Sequence, residues 1–180
     1  MDRGIEGDNM NPPVPSRDDV LEKFAQIEVL SLDVDGVLTD AGIYFLEDGS
    51  QIRKFNARDG VGIQRVMAAG INVIVITASR TEAIVRRCER LGIENVFIGA
   101  VDKLTVLQEY CSRTEVDLAA VAHVGDDLND LPVLHAVGCP LTVADAVDEV
   151  LDMVYFATSR RGGDAAVREI CDLIIAARQL

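Results

Sequence analysis

Apolar and polar positions fall in blocks along the chain, and the blocks change period. Residues 29–34 form an apolar run that ends in charge, and 71–76 form a mostly β-branched one; both read as buried strands. Residues 95–98 and 119–124 also read as strands, with 141–143 and 153–156 as shorter ones. Between these runs come segments read as helices: 59–69 stopped by Gly70, 80–91 closed by Gly92, 102–111, 128–136 with Pro132 near its start, and 165–177. Upstream, Val20, Leu21, Phe24 and Ile27 share one face of a helix expected within 17–27. Residues 43–45 and 51–55 flank Glu47-Asp48-Gly49-Ser50, and Asp-Gly between two apolar segments predicts a hairpin. The alternation predicts an α/β fold: one Rossmann-like, doubly wound parallel sheet with helices on both faces and a small β-hairpin insertion. It assigns residues 18–180 to a single domain. Residues 1–17, with Pro12, Pro13 and Pro15, read as a disordered leader.

Composition narrows the class. The chain has 180 residues, 49% of them hydrophobic, enough for a full core. Seventeen Lys and Arg stand against 30 Asp and Glu, a formal net charge of −13. That balance argues against a nucleic-acid partner, which needs stripes of Lys and Arg. No apolar run approaches the ~20 residues of a membrane span, and the first 20 residues carry no apolar signal core. A cytoplasmic location is expected. Cys88, Cys111, Cys139 and Cys171 are too far apart for CxxC metal pairs and read as reduced core thiols.

In a doubly wound sheet, ligands bind at the carboxyl ends of the strands. Four segments fall there. Asp33-Val34-Asp35-Gly36-Val37-Leu38-Thr39-Asp40 puts two carboxylates at the end of the first strand. Buried unpaired charge is costly, and Mg²⁺, a hard cation with oxygen ligands, is a natural partner. Residues i and i+2 of an extended strand project the same way, so Asp33 and Asp35 are expected to face one site. Thr77-Ala78-Ser79 follows the strand at 71–76; a hydroxyl and backbone N–H groups there suit a phosphate oxygen, although Thr or Ser at such a turn is more often just a helix N-cap. Lys103 opens a helix, against the dipole preference. Gly125-Asp126-Asp127-Leu128-Asn129-Asp130 places three carboxylates in five positions, and capping explains one of them, not three.

Taken in order, these segments resemble the haloacid dehalogenase superfamily of aspartate-nucleophile phosphatases, over residues 29–178. The resemblance implies that Asp33 attacks phosphorus and that Asp35 acts as general acid and then base. It implies Mg²⁺ held by Asp33, the Asp35 backbone carbonyl and Asp126. Thr77 and Lys103 would hold the phosphoryl oxygens, and Asp127 and Asp130 would orient Lys103 and metal-bound water. Little chain is free for a cap domain, so a neighbouring subunit is expected to close the site, with the hairpin as a contact.

The Asp35–Asp40 segment, the hairpin, Phe55-Asn56-Ala57-Arg58-Asp59-Gly60, and Gly162-Gly163 followed by Ala166-Val167-Arg168-Glu169 are similar to the 3-deoxy-D-manno-octulosonate 8-phosphate phosphatases. Those are capless tetramers of lipopolysaccharide precursor synthesis. The resemblance implies a homotetramer acting on an acidic sugar phosphate. Lys54, Arg58, Arg160, Arg161 and Arg168 are candidate binders of the sugar acid, Thr39 and Ser79 further substrate contacts. Two positions depart from the family: Ala78-Ser79 stands for the usual Gly-Arg, and Asp164-Ala165 interrupts the C-terminal glycine loop, where alanine limits positive φ. They leave a nonulosonic acid 9-phosphate open as the substrate. Readings from other classes are a non-catalytic phosphatase-like assembly module and a response-regulator receiver. The first leaves the strand-end carboxylates without a purpose; the second puts its phospho-acceptor on a later strand. His123, inside an apolar strand, and His135 read as packed histidines.

Overall fold

The computed structural model describes residues 15–179. A nine-residue helix, α1 (Arg17–Ala25), opens it; Ser16 caps it in a capping box with Asp19. Residues 1–14 of the expected leader lie outside the described residues.

Six parallel strands follow: β1 (Val29–Leu32), β4 (Asn72–Thr77), β5 (Asn95–Ile98), β6 (Val121–Val124), β7 (Cys139–Thr142) and β8 (Phe156–Ala157). Their order across the sheet is β5-β4-β1-β6-β7-β8, so the chain winds outward in both directions from β1. The hairpin β2 (Tyr44–Phe45) and β3 (Gln51–Ile52) stands apart as a two-stranded antiparallel ribbon. Gly49 turns it at φ +82°. The connecting helices are α2 (Ala57–Ala68), α3 (Glu82–Leu91), α4 (Lys103–Thr114), α5 (Leu131–Ala136), the short α6 (Asp148–Leu151) and α7 (Ala166–Ala177). A 3₁₀ turn, Leu128–Asp130, takes the start of the helix expected from residue 128. Four-residue α6 carries too short an apolar period to register in the sequence.

The strands alternate between two core layers, as a sheet covered on both faces requires. Val73 and Val75 of β4 pack with α1, α2, α3 and α7, while Ile74 and Ile76 pack with Leu107 and Tyr110 of α4 and Val133 of α5. Ser31 and His123 interrupt this pattern. They are directly paired across β1 and β6, fully buried, and hydrogen-bonded at 2.9 Å from Oγ to Nδ1. This polar step lies one layer beneath the carboxyl end of the sheet, on the α4–α5 side.

Candidate active site

β1 stops at Leu32, and Asp33 continues its line by donating its N–H to Val124 of β6. The chain then coils: the N–H groups of Leu38 and Thr39 both reach the Val34 carbonyl, at 2.9 and 3.0 Å. A coil, not a continued strand, therefore carries Asp35. Asp33 faces the α4 side, and Asp35 turns toward the base of the hairpin.

Lys103, the first residue of α4, is buried, and its ammonium lies 3.0 Å from Asp33 and 2.6 Å from Asp130. Its place in a first helical turn follows from these two carboxylates, which outweigh the helix dipole. Asp130 is engaged at both oxygens: Oδ1 faces Lys103 and, at 3.1 Å, His123 Nε2, and Oδ2 accepts the Asp126 N–H. Burial alone would raise its pKa, but His123 and Lys103 hold it down at about 2. Lys103 loses from burial and gains more from the two carboxylates, so its pKa is raised.

Asp33, Asp126 and Asp130 offer oxygens within 4.8 Å of one another. Burial raises the pKa of Asp33, with Asp130 adding to the effect against the pull of Lys103. Burial, then Asp33 and Asp130, push Asp126 up to about 7. Asp126 Oδ1 is buried and has no hydrogen-bond partner among the described residues. Three carboxylates thus share one ammonium. A divalent cation between Asp33 and Asp126 would neutralise the cluster and give the orphaned oxygen a partner, so the residues fit Mg²⁺. Gly36, at φ +94°, makes the approach possible: a Cβ there would lie 1.9 Å from Asp126 Oδ2.

Thr77 ends β4 buried, its hydroxyl accepting the Ser79 N–H at 3.2 Å. Other expected residues stand elsewhere. Asp127 is exposed and caps the 3₁₀ turn through the Leu128 N–H; among its described hydrogen bonds none reaches Lys103, which Asp130 alone of the expected pair orients. Thr39 is fully buried, and its hydroxyl is spent on its own loop, donating to Val34 and accepting from Gly36 and Ala41. It is framework, not a substrate contact. Lys54 is exposed and pairs with Asp40 at 2.8 Å.

Arg58, Arg160 and Arg168 converge with Arg17 on an open groove of about 600 Å³ along α7. Asp33, Asp35, Thr77, Lys103 and Asp126 do not line that groove. Ala165 takes φ +66° despite its side chain, contrary to the restriction expected there. The glycine loop before it crosses the Asp33 coil so closely that a Cβ at Gly162 would lie 1.7 Å from the Gly36 carbonyl oxygen.

Arg53 was not expected at the site. Its side chain is 4% exposed, and it meets Asp35 in two bonds, Nε–Oδ1 at 2.6 Å and Nη2–Oδ2 at 3.3 Å. Nothing local marks it among the cations around the hairpin. His123 carries a weak signal, a polar residue within an apolar strand, but its partner Asp130 is defined only by packing.

A parallel sheet with this acidic cluster and lysine at its carboxyl edge defines a hydrolase of the haloacid dehalogenase type, and residues 92–170 match the family model described as haloacid dehalogenase-like hydrolase. The chain is 40% identical over 164 residues to the 3-deoxy-D-manno-octulosonate 8-phosphate phosphatase of Yersinia pestis, covering 91% of this chain and 88% of that protein. The Escherichia coli protein of the same name is 38% identical, with coverage of 91% and 87%. A solved Yersinia pestis structure of that name superposes with a TM-score of 0.88 at 40% identity, covering 90% of this chain and 88% of that one. A Moraxella catarrhalis structure of that name, in complex with magnesium ion, phosphate ion and KDO, does so at 0.88 and 31% identity, covering 90% and 93%. The chain belongs to the 3-deoxy-D-manno-octulosonate 8-phosphate phosphatase family.

Proposed function

We propose that the protein is a Mg²⁺-dependent phosphomonoesterase that hydrolyses 3-deoxy-D-manno-octulosonate 8-phosphate, an acidic sugar ester. The observation that carries this reading is the buried Asp33–Lys103 contact beside the unpartnered Asp126 oxygen. The relatives that bear this substrate's name share about two fifths of their residues with the chain over nearly its whole length.

Asp33 attacks phosphorus, forming an aspartyl-phosphate as the P–O bond to the sugar breaks. Asp35 gives its proton to the departing sugar oxygen and then takes one from the water that cleaves the intermediate. Lys103 and Thr77 receive the phosphoryl oxygens; Asp130 keeps Lys103 aimed. Asp33, Asp126 and the Asp35 carbonyl would hold Mg²⁺, which offsets the repulsion between phosphate and carboxylate. Ser79, whose N–H donates to the Thr77 hydroxyl, stands next to this group.

Ile43, Tyr44, Phe45, Leu46 and Ile52 are all exposed on the hairpin, Tyr44 at 59% and Phe45 at 68%. So much apolar surface on one ribbon supports its burial against other copies of the chain, as a homotetramer. Such a contact would also supply the missing cover and let Arg58, Lys54 and Arg168 reach the sugar acid of a neighbouring site. Among the described residues no helix is long and apolar enough to cross a membrane. The four cysteines are free and buried, which supports a cytoplasmic setting.

The test is phosphate release from the octulosonate 8-phosphate, a nonulosonate 9-phosphate and neutral sugar phosphates, with Mg²⁺ and with EDTA. Mg²⁺-dependent turnover of the first, lost in Asp33→Asn, is expected. Preference for the nonulosonate would keep the chemistry and replace the substrate. No turnover of any ester would move the chain to the non-catalytic module.

A further inference from the structure

The Arg53 guanidinium has five N–H donors, and all five are used. Nε and one Nη2 hydrogen go to the two Asp35 oxygens. The other Nη2 hydrogen goes to Ser79 Oγ at 3.2 Å. Nη1 gives one to Gln51 Oε1 at 2.9 Å and one to Thr81 Oγ1 at 3.0 Å. Thr81 stands at the N-cap of α3 but makes no side-chain cap bond. A hydroxyl that would ordinarily cap the helix accepts from Arg53 instead. The side chain therefore stitches the base of the hairpin to the start of α3, with Asp35 at the centre.

We propose that Arg53 is the positioning residue for Asp35: it fixes the direction of that carboxylate toward the leaving oxygen and has no donor left for the phosphate. A carboxylate offers about four lone-pair positions, so two bonds from the guanidinium leave two for a reacting group. A fork held at three further points restricts Asp35 to one orientation, and acid–base transfer depends on that geometry. Lysine can replace it only in part, because one ammonium is a point donor and cannot span both oxygens. The role rests on the acid–base assignment of Asp35 made above.

Leaving-group chemistry separates the possibilities. A sugar alkoxide needs a proton to depart; p-nitrophenolate does not. The parameter to compare is kcat/KM, which reports the steps through leaving-group departure and is blind to hydrolysis of the intermediate. Wild type, Asp35→Asn, Arg53→Ala, Arg53→Lys and Thr81→Val would be assayed on the octulosonate 8-phosphate and on p-nitrophenyl phosphate, with inorganic phosphate as inhibitor. General-acid contributions are ~10²–10⁴-fold, so Arg53→Ala should lower kcat/KM on the sugar ester at least about 10-fold more than on the aryl ester. Arg53→Lys should fall between it and wild type, Thr81→Val should show a weaker selective loss, and the phosphate inhibition constant should move less than about 3-fold. Equal losses on both esters in Arg53→Ala and Thr81→Val would overturn the role, leaving a structural one. A weakened phosphate inhibition constant matching the loss in kcat/KM would also overturn it, making Arg53 a phosphate ligand. If Asp35→Asn itself shows no leaving-group selectivity, the acid–base assignment falls instead. Should Arg53→Ala not fold, the Thr81→Val ratio decides alone.

Discussion

The Lys103 ammonium lies 3.0 Å from the Asp33 carboxylate, and both side chains are almost wholly removed from water. Each justifies the burial of the other. The carboxylate offsets the desolvation of the ammonium, and the ammonium keeps an anionic nucleophile tolerable inside the sheet edge. Replacing Lys103 by Met leaves Asp33 and Asp130 facing each other with no cation. We expect phosphate release to fall by at least about 10³-fold and urea unfolding at pH 8 to show a loss of about 3 kcal/mol. Retention of a tenth of the activity would contradict the assignment.

The acidic cluster sets how stability depends on pH and metal. Asp126 has its pKa raised from 3.8 to about 7 by burial and by Asp33 and Asp130. A raised carboxyl contributes its stability in acid, and the contribution is lost as pH climbs from about 4 through 7. With EDTA, the melting temperature should therefore decline between pH 5 and 8. Mg²⁺ takes the place of the proton, so its stabilising effect should grow over the same interval. A metal effect equal at both pH values in differential scanning fluorimetry would count against this site.

Asp59 tests the same linkage away from the metal. It is 2% exposed, its Oδ1 accepts the Arg168 N–H in the first turn of α7 at 2.8 Å, and its Oδ2 has no hydrogen-bond partner among the described residues. Burial pushes its pKa up to about 6. Asn keeps the accepting oxygen and removes the charge. Asp59→Asn should be close to neutral near pH 4 and more stable than wild type by about 2 kcal/mol at pH 8, in paired denaturant titrations. A loss at pH 8 would show that the carboxylate has a charged partner.

The hairpin carries the assembly prediction. Phe45→Asp places a charge on the most exposed of its apolar residues. On the proposed assembly, sedimentation velocity should show a smaller species than wild type, and kcat/KM on the octulosonate ester should drop with it, since the neighbour that would cover the site is lost. A mutant of unchanged mass would exclude the hairpin as the contact.

Much of the fold was legible because period encodes burial locally. Continuous apolar runs such as 71–76 gave strands buried on both faces, and the glycines at 70 and 92 mark the ends of α2 and α3 at φ +86° and +82°. The helix expected from residue 128 begins later because Leu128–Asp130 winds as a 3₁₀ turn. Thr39 and Asp127 looked like site residues because their motifs hold polar groups; each is used by the loop that carries it.

By itself, the sequence determined the order of strands and helices, and with it the edge of the sheet where Asp33, Thr77, Lys103 and Asp126 gather. That follows because each lies just beyond an apolar run or at the start of a helix, and chain direction in a parallel sheet brings all such positions to one side. Only the tertiary structure decided that Arg53 holds Asp35, that His123 and Ser31 support Asp130, and that Asp59 serves α7 from 109 residues away. These pairings come from side chains of distant segments that meet only after the layers have packed, and no local period carries that distance.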